Sequence, residues 1–197
     1  MIKYRTICLI TLSFVFSACT TVQNIPSSTS SISQPKKNPE KLTAWQLSGA
    51  VAAKQHQKAW SASLTWEQLS SDHYQLSFFG PMGGNAVTIE KNNNTVTYQE
   101  GNKTEHSHNI DMLVYQKTGQ KLPLSHLFYW IRGIKSPGAA TELKDASGHL
   151  VQLKQAGYTL SYTNYRVING YDLPTKIQID HANGWLKLVI KDWDTHA

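Results

Sequence analysis

The sequence WSASLTWE at residues 60–67 alternates strictly between apolar and polar side chains. Trp60, Ala62, Leu64 and Trp66 fall on one side of an extended chain, and the polar residues between them fall on the other. An amphipathic helix repeats its apolar residues every three or four positions instead. This stretch therefore predicts a β-strand with one buried face, and it indicates that the fold is built around a sheet.

The same alternation recurs on both sides of this strand, with polar turn residues between the repeats. The period-two pattern begins at Trp45, and further strands are predicted over residues 74–78, 87–89, 96–98, 150–155, 158–162, 176–180 and 185–193. Asn183-Gly184 separates the last two, and this dipeptide is typical of a two-residue hairpin turn. Short strands joined by polar turns predict an antiparallel meander.

The middle of the chain changes to a helical period. Ile110, Leu113 and Val114 follow Asn109, which is a favourable N-cap residue, and Gly119 offers a C-terminal stop. A second helix is predicted to begin near Pro123 and to end at Gly133. Its apolar face is formed by Leu124, Leu127, Phe128 and Ile131.

Roughly ten strands and two or three short helices predict a mainly β fold with a few helices, in which a curved sheet or incomplete barrel is covered by the helices. A small barrel either fills its interior with side chains or holds one small ligand. The periodicity leaves both possibilities open.

The composition is that of a globular protein with an apolar interior. Of the 197 residues, 40% are apolar and only 16% are charged, and the chain contains 6 Trp, 9 Tyr and 5 Phe. The formal charge is +6, or +4 without Lys3 and Arg5, and the basic residues form no cluster denser than Lys36-Lys37. Nucleic-acid binding requires clustered Lys and Arg, so this class of partner is not expected.

The N-terminus has the pattern of a bacterial lipoprotein signal. Lys3 and Arg5 precede an apolar run at residues 7–16, which is too short to span a membrane, and small residues lead to Cys19. Phe16-Ser17-Ala18-Cys19 resembles a lipobox, in which the cysteine thiol receives a diacylglycerol before cleavage. We therefore predict a signal peptide at residues 1–18 and a lipidated, palmitate-bearing Cys19.

The segment after Cys19 is predicted to be a flexible tether. Thr20 stands where an Asp resembles an inner-membrane retention signal, so the outer membrane is the expected destination. Residues 20–40 are dominated by Ser and Thr and are punctuated by Pro26, Pro35 and Pro39, which is too polar a composition for a core. The predicted organisation is thus a signal peptide (1–18), a lipidated cysteine with its tether (19–40) and one domain (41–197).

No catalytic, cofactor-binding or phosphate-binding motif is found in the sequence. The only cysteines are Cys8 and Cys19, which excludes a disulfide within the mature chain. His106 and His108 are spaced to share a metal ion on one strand face, but solvated edge histidines are the alternative and no third ligand lies nearby. These observations predict a non-enzymatic carrier of apolar cargo that needs no cofactor or metal.

Several segments, taken together and in order, resemble the LolB family of outer-membrane lipoprotein receptors. The resemblance covers nearly all of residues 41–197 and is carried by these motifs: Trp45-x-Leu47-x-Gly49, Leu64-x-Trp66, Gly80-Pro81-Met82-Gly83, Leu122-Pro123-Leu124, Tyr129-Trp130-Ile131-Arg132-Gly133, Gln155-x-Gly157-Tyr158-x-Leu160-x-Tyr162, Leu173-Pro174 and Leu186-Lys187-Leu188-Val189-Ile190-x-x-Trp193.

The resemblance implies an unclosed antiparallel β-barrel whose helices form a lid over a hydrophobic cavity. It also implies a function: accepting acylated lipoproteins from the periplasmic carrier LolA and inserting them into the outer membrane without ATP. The family has an apolar residue, usually Leu, in a protruding loop that delivery requires. Met82 occupies the matching position, and it retains a flexible apolar side chain.

The resemblance and the strand pattern together define a candidate cavity. The acyl chains of bound lipoproteins are expected to contact the inward strand faces and the helical lid. The candidate residues are Leu64, Trp66, Leu76, Phe78, Val87, Ile89, Leu127, Trp130 and Ile131. The expected partners are LolA, acylated lipoproteins and outer-membrane lipid, with the domain acting as a monomer in the periplasm. The alternative is a structural or assembly lipoprotein of the envelope whose β core is filled.

Overall fold

The computed structural model describes residues 36–80, 86–118 and 123–196. The predictions for the signal peptide, for Cys19, for most of the tether and for Met82 and Gly119 fall outside these residues.

The described chain consists mainly of β-strands. A short 3-10 helix at Pro39–Lys41 precedes the sheet. The strands are β1 (Trp45–Gln55), β2 (Lys58–Ser70), β3 (His73–Phe79), β4 (Val87–Asn92), β5 (Thr95–Glu100), β6 (Lys103–Ser107), β7 (Ala140–Lys144), β8 (Leu150–Gln155), β9 (Tyr158–Ile168), β10 (Tyr171–His181) and β11 (Gly184–Asp194). The helices α1 (Ile110–Thr118) and α2 (Leu124–Trp130) lie between β6 and β7 in the sequence.

The strands form one antiparallel sheet of 11 strands in the order β6-β5-β4-β3-β2-β1-β11-β10-β9-β8-β7. Neighbours in the sheet are neighbours in the chain except at the centre, where β1 pairs with β11. This pairing joins the two meanders, and the sheet ends at β6 on one side and at β7 on the other. The predicted fold class, an unclosed antiparallel sheet of 10 to 11 strands with short helices, is confirmed.

The alternation of apolar and polar residues that predicted β2 matches the alternation of buried and exposed side chains along this strand. Leu64 and Trp66 are buried, whereas Thr65 and Glu67 between them are exposed. The buried side faces the helices and carries the core, in which the ring centroids of Trp45 and Trp66 lie 4.9 Å apart. Large aromatic side chains bury much apolar area, so this cluster is a major contribution to the core.

Gly49 marks an irregular point where β1 meets β11. The register of this pair shifts between Ser48 and Gly49. A Cβ atom on Gly49 would lie against the carbonyl oxygen of Val189, so a larger residue would push the two central strands apart. The glycine of the Trp45-x-Leu47-x-Gly49 motif therefore permits the close approach of these strands.

Several predicted strands are longer in the structure than the sequence indicated, and β9 is one of them. The alternation stops at Tyr162, but β9 continues to Ile168. Asn164 has a φ of 60°, and its carbonyl oxygen accepts a hydrogen bond from the Thr175 hydroxyl at 2.9 Å. This irregular residue interrupts the alternation without ending the strand.

Both predicted helices are present. The Asn109 side chain caps α1, because its Oδ1 accepts a hydrogen bond from the Met112 backbone N–H at 2.9 Å, as predicted. Pro123 precedes α2, and Gly133, with a φ of 73°, ends the turn that follows it. Among the described helices, none has the length and apolar character needed to cross a membrane.

An apolar cavity between the sheet and the two helices

The inner face of the sheet and the helices border a cavity of about 500 Å³ that is open to solvent on one side. Strands β2, β3 and β5 supply one wall, and α1 and α2 supply the other. Its apolar and aromatic lining consists of Trp66, Tyr74, Leu76, Val96, Ile110, Leu124, Phe128 and Tyr129. A cavity that holds benzene measures about 150 Å³, so this one has room for roughly twenty carbon atoms.

Polar side chains line one side of the cavity. The Lys91 ammonium lies 2.8 Å from an Asp72 carboxylate oxygen, and its hydrogen bond to that carboxylate lowers the pKa of Asp72. Burial raises the pKa of the Tyr74 hydroxyl above its ordinary value, and the carboxylates of Asp111 and Asp72 raise it further. The cavity thus combines an apolar wall with a polar one, which suits a ligand with an apolar chain and a polar end.

Helix α2 is fixed from inside the protein. The buried Trp130 donates its Nε1–H to Gln155 Oε1 at 2.9 Å, and Gln155 Nε2 donates to the Ser136 carbonyl oxygen at 2.7 Å. Gln155 Oε1 also accepts from the Ser136 backbone N–H at 3.0 Å. Buried polar groups are costly to leave unpaired, so this network holds the end of α2 against β8.

Arg132 fixes the chain after α2 to the N-terminal segment. Its side chain is 2% exposed and donates to the carbonyl oxygens of Phe128 at 2.9 Å, Leu42 at 2.6 Å and Pro39 at 3.2 Å. Burial lowers its pKa to about 10, which leaves the guanidinium charged at neutral pH. The guanidinium also lies 4.1 Å from the centroid of the Phe128 ring, which lines the cavity.

Helix α1 packs its apolar face into the core and makes polar contacts at the surface. Lys117 forms an ion pair with Glu105 on β6, and both side chains are partly exposed. Asp111 accepts hydrogen bonds from the Ser125 backbone N–H at 3.1 Å and from its hydroxyl at 2.5 Å. Exposed ion pairs contribute about 1 kcal/mol or less. These polar contacts add to the burial of Ile110, Leu113 and Val114, which holds α1 against the sheet.

The structure brings some of the predicted cavity residues together and separates others. Trp66 and Leu76 line the cavity of about 500 Å³, whereas Leu127 lines a separate one of about 40 Å³. The remaining predicted residues do not line the larger cavity and lie in or against the core instead. Of these, Leu64, Ile89, Trp130 and Ile131 are buried, and Phe78 and Val87 are half-buried.

Sequence reasoning missed several lining residues. Tyr74 and Val96 lay in the predicted strands, and Ile110, Leu124 and Phe128 lay on the predicted helix faces, so their burial was predictable. Which buried residues border a void depends on how the helices cross the sheet, and the periodicity carries no information on that packing.

The histidine pair is divided between different partners. His106 Nδ1 lies 3.1 Å from the Thr97 hydroxyl, and His108 Nδ1 lies 2.8 Å from the Asn94 carbonyl oxygen. Within residues 36–80, 86–118 and 123–196, no three His, Cys, Asp or Glu side chains are grouped as a metal site would require.

Comparisons with known proteins agree with this architecture. The model of the family described as outer membrane lipoprotein LolB matches residues 43–193. Outer-membrane lipoprotein LolB of Pseudomonas fluorescens is 32% identical over 154 residues, which cover 77% of this chain and 75% of the relative. The Marinomonas protein of the same name is 27% identical over 195 residues, covering 96% of this chain and 97% of the relative.

Two solved structures share the fold at low sequence identity. A LolA-superfamily protein from Nitrosomonas europaea aligns with a TM-score of 0.50 at 11% identity, covering 80% of this chain and 88% of that one. A DUF1329-family protein from Desulfovibrio piger aligns with a TM-score of 0.54 at 7% identity, covering 81% of this chain and 88% of that one.

The described chain is thus one unclosed antiparallel sheet with two helices over a cavity on its inner face, and the LolA-superfamily structure shares this structural class. Within this class, the family match covers most of the chain. The chain belongs to the LolB family. It is accordingly an outer-membrane lipoprotein that acts in lipoprotein localisation, and it is not an enzyme.

Proposed function

We propose that this protein accepts acylated lipoproteins from the periplasmic carrier LolA, holds their acyl chains in the cavity and inserts them into the outer membrane without ATP. The observation that carries the proposal is the cavity of about 500 Å³ beneath α1 and α2 in a member of the LolB family. A filled β core is the alternative, and the open volume between the sheet and the helices weighs against it.

The energetics of the transfer support a mechanism without ATP. Each methylene group removed from water recovers about 0.8 kcal/mol, so an acyl chain that passes between two apolar cavities keeps its burial throughout. A modest difference in affinity between donor and acceptor then determines the direction. The volume accommodates about one long chain, and further chains require the cavity to widen.

The membrane end of the pathway is proposed from the sequence. Residues 1–18 are removed, Cys19 carries the lipid anchor, and residues 20–40 link it to the domain. Met82 lies in Gly80-Pro81-Met82-Gly83-Gly84, where the neighbouring residues are too small to shield it. We propose that its side chain enters the lipid interface during delivery.

A two-step transfer assay tests the proposed function. A fluorescently labelled lipoprotein bound to purified LolA is mixed with the protein, and the protein is then mixed with liposomes. We expect the label to move to the protein in the first step and to the liposomes in the second, with no nucleotide present. If the label stays on LolA in the absence of nucleotide, the proposal is wrong.

Replacing Met82 with glutamate should separate these two steps. Burying this apolar side chain in lipid contributes about 1.5–3 kcal/mol, which is enough to orient the domain. A carboxylate at this position does not gain this free energy. We therefore expect Met82→Glu to retain uptake from LolA and to lower the rate of delivery to liposomes by about tenfold or more. Met82→Leu is the matched control and should behave like the parent protein. Equal losses of uptake and delivery in Met82→Glu would instead assign Met82 to the core.

A further inference from the structure

One end of the sheet is formed by two hairpin turns that lie against each other. We call it the hairpin end and define it as residues 54–58 and 181–187. The turn between β1 and β2 and the turn between β10 and β11 are joined by a hydrogen bond from the His56 backbone N–H to the Asn183 carbonyl oxygen at 3.1 Å. The two turns therefore present one continuous surface.

Three exposed lysines lie at the hairpin end, two on one face of the sheet and one on the other. In the sheet register, Lys54 is paired with Trp185 and shares its face, whereas Lys58 is paired with Gln55 on the opposite face. Lys187 follows two residues after Trp185, on the same side of β11. None of the ion pairs found in the described part of the chain involves these three lysines. Their charges are therefore available to an external partner.

An aromatic residue, Trp185, shares the face of Lys54 and Lys187. Trp185 is half-buried, and the Lys187 ammonium lies 5.0 Å from the centroid of its ring. Trp is enriched where proteins meet the membrane interface, because its ring is apolar and its N–H is polar. Lysine next to such a ring is the combination found on surfaces that lie against anionic lipid.

The charge at the hairpin end differs from that at the other end of the same strands. Asp180 is the carboxylate paired with Trp185, and both its oxygens accept hydrogen bonds from Gln178 Nε2. At the far ends of β2 and β11, the exposed acidic residues are Glu67, Asp192 and Asp194. The central strands therefore have a basic end and an acidic end, and an anionic surface attracts the former.

We propose that the hairpin end docks on anionic phospholipid, with Lys54, Lys58 and Lys187 against the headgroups and Trp185 at the interface. This inference deepens the proposed function, on which it rests, by naming the protein surface that meets the membrane during delivery. A lysine near an anionic membrane contributes about a fivefold change in the docking equilibrium. The three together are sufficient to orient a domain that is already anchored.

Quenching of Trp185 fluorescence tests the proposal on the full lipidated chain. The chain is incorporated through its anchor into vesicles of brominated phosphatidylcholine, either alone or with about a quarter phosphatidylglycerol. Trp185→Phe measures the background from the other tryptophans. We expect the quenching of Trp185 to require phosphatidylglycerol. It should also be lost when the ionic strength rises to about 1 M, where the Debye length is about 3 Å.

A matched pair of variants locates the surface. Lys187→Gln should lower the ratio of docked to undocked protein by about fivefold, and Lys54→Gln should do the same. Lys191→Gln is the control, because Lys191 is exposed on the same strand and face but lies towards the acidic end. Equal effects of Lys187→Gln and Lys191→Gln would overturn the proposal.

Two further results would also overturn it. The first is quenching of Trp185 that is independent of phosphatidylglycerol. The second is a set of lysine variants that leaves quenching unchanged but slows uptake from LolA, which would make the hairpin end a protein-binding surface. Since the quenching assay contains neither cargo nor carrier, its failure is distinguishable from a failure of the transfer assay.

Discussion

Val96→Glu is expected to abolish acyl-chain binding. Val96 is 2% exposed and lines the cavity from β5. A carboxylate at this position costs several kcal/mol if it stays charged in apolar surroundings, and it admits water where the chain would lie. We expect the affinity for a fluorescent fatty acid to fall at least a hundredfold, which corresponds to about 2.7 kcal/mol.

The pH dependence of this variant provides a second measurement. Burial raises the pKa of an introduced glutamate, so its charged form is the one that destabilises the fold. The loss of unfolding free energy relative to the parent should be small near pH 4 and should increase as the pH rises above the ordinary glutamate value of about 4.3. Urea unfolding at several pH values measures this trend.

Two control variants separate a local effect from general misfolding. Gln99→Glu adds the same charge to β5 at an exposed position and should bind the fatty acid like the parent. Val96→Phe keeps the site apolar but fills part of the cavity volume. This variant should fold normally and bind the fatty acid more weakly than the parent. If Val96→Glu folds and retains full affinity, the acyl chain lies elsewhere.

Arg132→Met is expected to give the largest loss of stability. The substitution leaves the carbonyl oxygens of Phe128, Leu42 and Pro39 without the donor that the guanidinium supplies. An unsatisfied buried polar group costs about 1–3 kcal/mol, and such penalties do not add fully. We expect the free energy of unfolding to fall by about 3–5 kcal/mol, measured in urea.

Arg166→Met is the matched control for Arg132→Met. Arg166 is exposed and donates to the Lys191 carbonyl oxygen at the surface, so its loss should cost less than about 1 kcal/mol. Arg132→Lys should fall between the two, because an ammonium lacks the fork that reaches three acceptors. Hydrogen exchange provides a local readout, since the Arg132 variants should lose protection around Leu42 first. If both Met variants lose similar amounts of unfolding free energy, Arg132 does not join α2 to the N-terminal segment.

Much of the fold was predictable because its elements are local. The alternation at residues 60–67 becomes β2, and Asn109 caps α1. The last hairpin is present, but it turns at Ala182 and Asn183 rather than at the predicted Asn183-Gly184, because Gly184 pairs with His181 and begins β11. The edge strand β7 was not predicted, and β6 was indicated only by the spacing of His106 and His108, because the residues of both strands are mostly exposed and polar on both faces. An edge strand with little buried surface leaves no periodic pattern in the sequence.

The polar features of the interior and the hairpin end were not predictable. Arg132 and Gln155 are buried because backbone carbonyls and the Trp130 indole come together around them, and those partners are distant in sequence. The lysines at positions 54 and 187 become neighbours only because β1 pairs with β11. Charge clustering of this kind depends on the sheet order, which local patterns leave undetermined.

The unclosed sheet has a consequence for self-association. A sheet that does not close into a barrel has two edge strands. The backbone N–H and C=O groups at these edges can pair with another copy of the chain. Both edge strands are only 5 residues long, and β6 carries Lys103, Glu105 and His106. On β7, the exposed Leu143 lies between Glu142 and Lys144, and charged neighbours of this kind oppose the stacking of strands into aggregates. The unclosed sheet therefore has two free edges, and the short, charged strands at those edges oppose their pairing with another copy of the chain.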